Sequence, residues 1–322
     1  MAGFAPPADS VSDGVSDTVS DGVSDGGPDV RRATPVRLLW PTWVAIGVFL
    51  LVPVMIMGLY SVLTKEFRGG VTWQFSLAAY DQFFVTRGIF GDEPARLEWT
   101  YVVIFGRSIY QAALATLICL IIGFPTAWFV ATRSAQSRGV WLFLITVPYW
   151  INLLIRTVSL KFLIRDTGPL NDALLASGIV DTPLHLVNTN AAVILGLFYS
   201  FLPFMVLPIY AAVERYNFVW SEAAADLYAP RWVTLREIVI PIIKPGVAAG
   251  CILVFVPSLG AFLSPDLLGG AKNFMIGSLI EEQFKGTQGN WPFGAAAAMI
   301  LMSLVMVALL IYARAQSKEP AR

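Results

Sequence analysis

The sequence predicts an all-α polytopic membrane protein of about six transmembrane helices, and three observations carry that prediction. The composition is 56% hydrophobic and only 14% charged, with a mean hydropathy of +0.67, which sets the chain apart from soluble globular domains. Six apolar stretches are each long enough to cross a bilayer at about 1.5 Å per residue. Bases show a mild excess at alternate ends of these stretches, although the outer segments also carry Lys65, Arg68 and Arg87, and the short loop that holds Arg133 and Arg138 carries most of the argument. Lys+Arg and Asp+Glu are both 22, so the charge balance gives no reason to expect a nucleic-acid partner. Membrane lipid is the expected surrounding.

Residues 1–36 read as a disordered, acidic cytoplasmic tail. Asp9, Asp13, Asp17, Asp21, Asp25 and Asp29 recur every fourth residue among Ser, Gly and Val, a segment with too little apolar surface to offset the entropy of ordering. It also lacks the basic start and early apolar core of a cleaved signal peptide. Residues 37–316 form the expected transmembrane domain, and 317–322 a short cytoplasmic tail.

Arg31, Arg32 and Arg37 precede the first span, 40–63, and place this end in the cytoplasm. A polar and aromatic outer segment follows, from about Thr64 to Glu98. The second span, 101–131, is too long for one upright crossing, so tilt is expected. It returns to the cytoplasm at Arg133 and Arg138. The third span, 140–163, carries Asn152 and Arg156 in its outer half, and an outer loop with Gly168, Pro169 and His185 leads to the fourth, 191–213. After a polar region at 214–246, the fifth span, 247–263, contains Pro257 and Gly260. The sixth, 293–312, ends at Arg314, so both termini are expected inside. Cys119 and Cys251 fall inside apolar runs, where a thiol acts as a small hydrophobe, and neither a disulfide nor a metal site is expected. His185 has no second ligand at metal spacing.

Between the fourth and fifth spans lies a polar island, SEAAADLYAPRWVTLREIVIPIIKPG, Ser221 to Gly246. It reads as two short helices and a turn. Glu222 suits the positive end of a helix dipole, and Pro230 stands where a second helix can begin. Trp232, Leu235 and Val239 recur at helical spacing, and Pro241 and Pro245 are expected to end or kink that helix. An amphipathic interfacial loop and a docking element for a partner both fit this pattern.

The spacing of Glu-Ala-Ala, a turn six residues beyond that Glu, Ile238-Val-Ile-Pro241 and Pro245-Gly246 resembles the EAA loop of membrane-spanning permease subunits of ABC importers. The resemblance implies a type I importer fold with a cytoplasmic coupling helix that enters a groove on an ATPase subunit. Glu222, Ala223, Ala224, Asp226, Leu227, Tyr228 and Ala229 would be its contact residues. Tyr228 departs from the family, which usually has Gly at the turn. If the turn needs a left-handed backbone there, Tyr costs roughly 1–2 kcal/mol more than Gly.

Further stretches, including IGFPTAWFVA, VPYWINLLIRT, GPLND, FLPFMVLPIYAAVER, LVFVPSLGAFLSPDLLGG and NWPFGAA, resemble the polyamine branch of these permeases, in particular the first spermidine/putrescine permease subunit. That resemblance implies import of a small organic solute, with putrescine or spermidine first and opine-like or amino-acid-derived solutes behind. The implied partners are two copies of an ABC ATPase subunit, a second homologous permease and a periplasmic or surface-tethered solute-binding protein, in the bacterial inner membrane. ATP and magnesium would bind to the ATPase subunits. No HExxH or Walker A pattern is present, so no catalytic residue is expected on this chain. The rival class is an ion-coupled secondary transporter, which needs deep carboxylates that the spans scarcely provide.

A solute path needs polar groups at membrane depth, where they are costly unless they face a bundle interior or water. The candidates are Tyr110, Tyr149, Trp150, Asn152, Arg156, Tyr199, Ser258 and Asp266. For a cation, Asp266 supplies charge and Tyr149, Trp150 and Tyr199 supply ring faces. The competing reading is an interfacial aromatic belt, with Arg156 snorkelling outward or paired with a loop carboxylate.

Overall fold

The computed structural model describes residues 36–66, 70–86, 96–97, 99–285 and 289–317. The tail expected at 1–36 lies outside these residues but for its last position, and 317–322 but for its first. The chain divides into two units, one up to Val52 and one from Pro53. The described part of the first unit is the beginning of helix α1 (Val36–Ser61), whose side chains are exposed nearly all round, Trp43 and Phe49 among them. An apolar helix without a buried stripe suits lipid or a partner subunit.

In the second unit α1 ends at Ser61, and a hairpin follows. Strand β1 (Leu63–Lys65) pairs antiparallel with β2 (Val71–Phe75). After the short helix α2 (Ala78–Asp81), β3 (Val85–Thr86) pairs with β4 (Arg96–Leu97). The segment expected only as an outer loop thus carries its own structure. Phe83 is buried, with its ring centroid 4.7 Å from that of Phe293 and 5.8 Å from that of Tyr101.

Three long helices make the main core: α3 (Thr100–Ala131), α7 (Asn190–Glu214) and α10 (Ile240–Leu259). Cys119, Met205, Val206, Ile209, Ile243 and Val254 meet at their centre. Gly246 and Gly250 stand four apart on the face of α10 that meets α7. A Cβ at Gly246 would lie 2.9 Å from the Pro208 carbonyl oxygen, and one at Gly250 2.9 Å from the Met205 sulfur. Without a hydrophobic force between helices in lipid, close approach through small residues is what holds such pairs. Pro203 and Pro208 sit within a continuous α7.

Five described helical segments are long and apolar enough to cross a membrane, or six if one strongly bent pair counts as a span. That pair corrects the expected third span. Instead of one helix over 140–163 there are α4 (Ala135–Trp150) and α5 (Leu153–Ile164), with a bend of 93° between α4 and the helical stretch that α5 begins. Ile151 and Asn152 adopt extended ψ values of 138° and 136°. Asn152 then caps α5, its Oδ1 accepting from the Leu154 amide at 2.9 Å. Helix α6 (Pro169–Ala176) follows, with Pro169 in its first turn.

The second correction concerns the fifth span. Pro241 and Pro245 neither end nor break the helix. Helix α9 (Arg231–Thr234) passes through a π turn at Leu235–Val239 into α10, and the apolar candidate span covers Arg231–Leu259. The Ile240 amide donates to the Leu235 carbonyl, a wide bond that adjusts the ladder just before a residue with no amide hydrogen. Pro257 lies inside α10, and Gly260 closes it. A second π turn, Pro265–Gly269, leads to α11 (Ile276–Lys285), and α12 (Trp291–Ser317) completes the chain.

Candidate functional site: coupling segment and solute path

Helix α8 (Val219–Asp226) carries the first half of the polar island. Its base is anchored by aromatic packing. Tyr216 is buried, its ring centroid 5.3 Å from Phe218 and 6.5 Å from Trp128, and its hydroxyl lies 2.7 Å from Ser221 Oγ. Ala224 is the buried residue of α8, whereas Glu222, Ala223 and Asp226 are exposed. A small side chain at 224 lets the helix lie close to the body of the protein.

The turn after α8 settles the backbone question at Tyr228. Its φ is 57°, in the left-handed region. The Tyr228 amide donates to Ala225 at 2.9 Å and the Ala229 amide to Ala224 at 3.0 Å. This is the Schellman pattern, which satisfies the last carbonyls of a helix through one left-handed residue. Tyr228 keeps the turn that Gly makes without strain. Its side chain is 95% exposed and that of Leu227 82%, while Ala229 is half-buried. Trp220 and Trp232 are exposed nearby in sequence on α8 and α9.

Among the path candidates, the structure brings Tyr149, Arg156 and Tyr199 together. The Arg156 Cζ lies 5.1 Å from the Tyr149 ring centroid and 5.9 Å from that of Tyr199. A guanidinium NH donates to the Pro148 carbonyl at 3.4 Å, across the bend. Arg156 is 5% exposed, so the snorkelling reading does not hold. Its Nε is buried with no hydrogen-bond partner, and no carboxylate among the described residues pairs with it.

The other candidates stand apart. Trp150 is exposed and packs edge-on against Phe143, and Tyr110 is exposed on α3 without a ring or cation contact among the described residues. Asn152 is the cap of α5. Ser258 is fully buried and donates its hydroxyl to the Val254 carbonyl at 2.6 Å, which leaves it no open face.

Asp266, exposed in the second π turn, meets α11. Partial burial of its carboxyl raises its pKa, the Glu281 carboxylate beside it adds to that rise, and a Ser278 hydrogen bond and the Lys285 charge pull it down. Lys285 bonds Glu281, and its Nζ lies 5.6 Å from the Phe262 ring centroid. Sequence reading missed Glu281, Lys285 and Phe262 as companions of Asp266. The available signal was Glu281 and Lys285 at helical i,i+4 spacing. His185, which is exposed, pairs with Asp166 at 2.9 Å on the rim of a cavity of about 810 Å³.

The sequence profile of the binding-protein-dependent transport system inner membrane component family matches residues 103–318. The chain belongs to that family. It is 41% identical over 273 residues to the spermidine/putrescine transport system permease protein PotB of Salmonella typhimurium strain LT2, covering 85% of this chain and 90% of the relative. The Escherichia coli K12 protein of the same name is 40% identical, and the alignment covers 94% of it. A bacterial ABC transporter for alginate shares the fold, with a TM-score of 0.60 at 17% identity over 89% of this chain and 96% of that one.

Membership makes this family member a non-catalytic, multi-pass permease subunit of an ABC importer in the inner membrane. The family's transport systems depend on a binding protein. The ion-coupled rival is thereby set aside.

Proposed function

We propose that the chain forms one half of the membrane channel of a polyamine importer, with putrescine or spermidine as solute. The observation that carries this reading is the 41% identity to a spermidine/putrescine permease over 90% of that relative. Two copies of an ATPase subunit bind ATP and magnesium, and a second permease completes the path. Both termini and the region 214–246 lie on the cytoplasmic side. Glu222, Ala223, Ala224, Asp226, Leu227, Tyr228 and Ala229 couple to the ATPase, with Leu227 and Tyr228 as the projecting contacts and Ala224 seating the helix.

Tyr149, Trp150, Tyr199 and Tyr110 offer ring faces to the solute. Asp266, with Glu281, attracts its ammonium groups at the outer mouth. Alkylammonium groups bind both carboxylates and ring faces, so this lining suits a polycation.

The test is ATPase activity of the complete importer in nanodiscs with its own binding protein. Putrescine or spermidine stimulates the wild type, and Glu222→Ala removes that stimulation. Stimulation solely by a neutral or anionic solute, an opine-like acid for example, would overturn the polyamine reading. Uptake also depends on pH. Because the Asp266 pKa is raised, its carboxyl takes up a proton at a higher pH than an ordinary aspartate. Cation capture therefore starts to fall at that higher pH on acidification, and Asp266→Asn removes this limb of the profile.

A further inference from the structure

The charge of Arg156 has no counter-ion among the described residues, and this is where the structure says most beyond the importer reading. A guanidinium stays protonated at any physiological pH. Burying it at membrane depth without a carboxylate is expensive. Here it is 5% exposed, its Nε has no hydrogen-bond partner among the described residues, and it contacts the rings of Tyr149 and Tyr199 and the Pro148 carbonyl. Tyr149 and Tyr199 are themselves 42% and 37% exposed. The positive charge therefore stands 5.1 Å from the centre of a ring that is itself 42% exposed.

We infer that Arg156 is an electrostatic plug that keeps small cations from leaking through the resting permease. A tyrosine face attracts cations. With a fixed positive charge behind it, the same face repels them. A cation on the far side of the Tyr149 ring would stand roughly 8–9 Å from the guanidinium, and at an effective dielectric of about 20 its occupancy falls about thirtyfold. The need is physical. An inside-negative membrane potential drives every cation inward, so a path lined by rings and carboxylates would conduct sodium or potassium whenever it was open to both.

The location gives the plug a means of release. Arg156 lies on α5 and Tyr149 on α4, on opposite sides of the 93° bend, and the bond from Arg156 to Pro148 spans that bend. A change of angle there separates the charge from the ring. Arg156 thus sets which ions pass when no solute is being carried. This inference rests on the proposed lining of the path by Tyr149 and Tyr199 and is independent of which solute it carries.

The experiment uses the complete importer in sealed proteoliposomes, without ATP or binding protein, under an inside-negative potential. Entry of radiolabelled sodium is compared with that of chloride and mannitol. Arg156→Gln and Arg156→Met each raise sodium entry about tenfold over the wild type and leave chloride and mannitol unchanged, and Arg156→Lys restores tightness. The two neutral variants differ in shape and polarity, so one that assembles poorly does not decide the result. Sodium entry unchanged in both overturns the inference. So does a leak that passes mannitol and chloride as readily as sodium, because that is a packing defect and not the loss of a charge. Polyamine-stimulated ATPase in the wild type is measured separately, so failure of the solute assignment is distinguishable from failure of the plug.

Discussion

The bend between α4 and α5 and the turn between α8 and α9 both interrupt helices, and each carries one residue that the isolated chain accommodates at a cost. At the bend it is Arg156, a charge 5% exposed without an acid among the described residues. At the turn it is Tyr228, left-handed at φ 57° and 95% exposed. One unfavourable residue points inward and the other outward. The inward cost falls on the protein's own interior. The outward one would be relieved by a contact with another chain, as the proposed coupling role requires.

Three substitutions probe this contrast. The largest expected effect is from Ala224→Glu, which forces a carboxylate into the buried face of α8. Burial of an unpaired charge costs on the order of 3 kcal/mol or more, so α8 leaves the body and co-purification of the ATPase is lost. Retention of the ATPase at the wild-type ratio would show that α8 needs no fixed seat. Next is Tyr228→Gly, which relieves about 1–2 kcal/mol of backbone strain. The free subunit in detergent gains thermal stability, and ATPase affinity falls if the exposed ring is a contact. Raised stability with undiminished affinity would mean that the outward cost buys nothing from the partner. The smallest effect belongs to Asn152→Ala, which removes the cap of α5 at a cost of about 1 kcal/mol. Thermal unfolding measures it, and no change would show that the bend is held by packing and the Arg156 bond alone.

The outward residue was legible in the sequence and the inward one only in part. The spacing around Glu222 fixes where the turn falls, because it depends on neighbours within ten residues. Tyr228 stood out there as a residue in a glycine's place. The bend was hidden by its surroundings. Val147, Ile151, Leu153, Leu154 and Ile155 continue an apolar run across Asn152, and hydropathy does not distinguish a straight helix from two joined ones. Pro148 was the available clue, yet prolines at 203, 208, 245 and 257 sit within helices that continue.

The rest depends on distance along the chain. Glu281 reaches Asp266 only because the turn and α11 fold back, and no local pattern announces that meeting. Ser258 was a polar residue in an apolar span, and sequence alone does not say whether its hydroxyl faces a path or its own helix. It faces Val254. The π turn was likewise invisible, since Pro241 reads as a break unless the wider ladder before it is known.

That π turn joins helix α9 to α10 in a continuous helical stretch. From Arg231 to Leu259 the backbone is one rod, some 40 Å long at about 1.5 Å per residue. Gly246 and Gly250, its points of closest approach to α7, lie near the middle. A rod held at its centre acts as a see-saw. A shift of a few ångström imposed at the Arg231 end would appear, reversed and of similar size, at the Leu259 end beside the turn that carries Asp266.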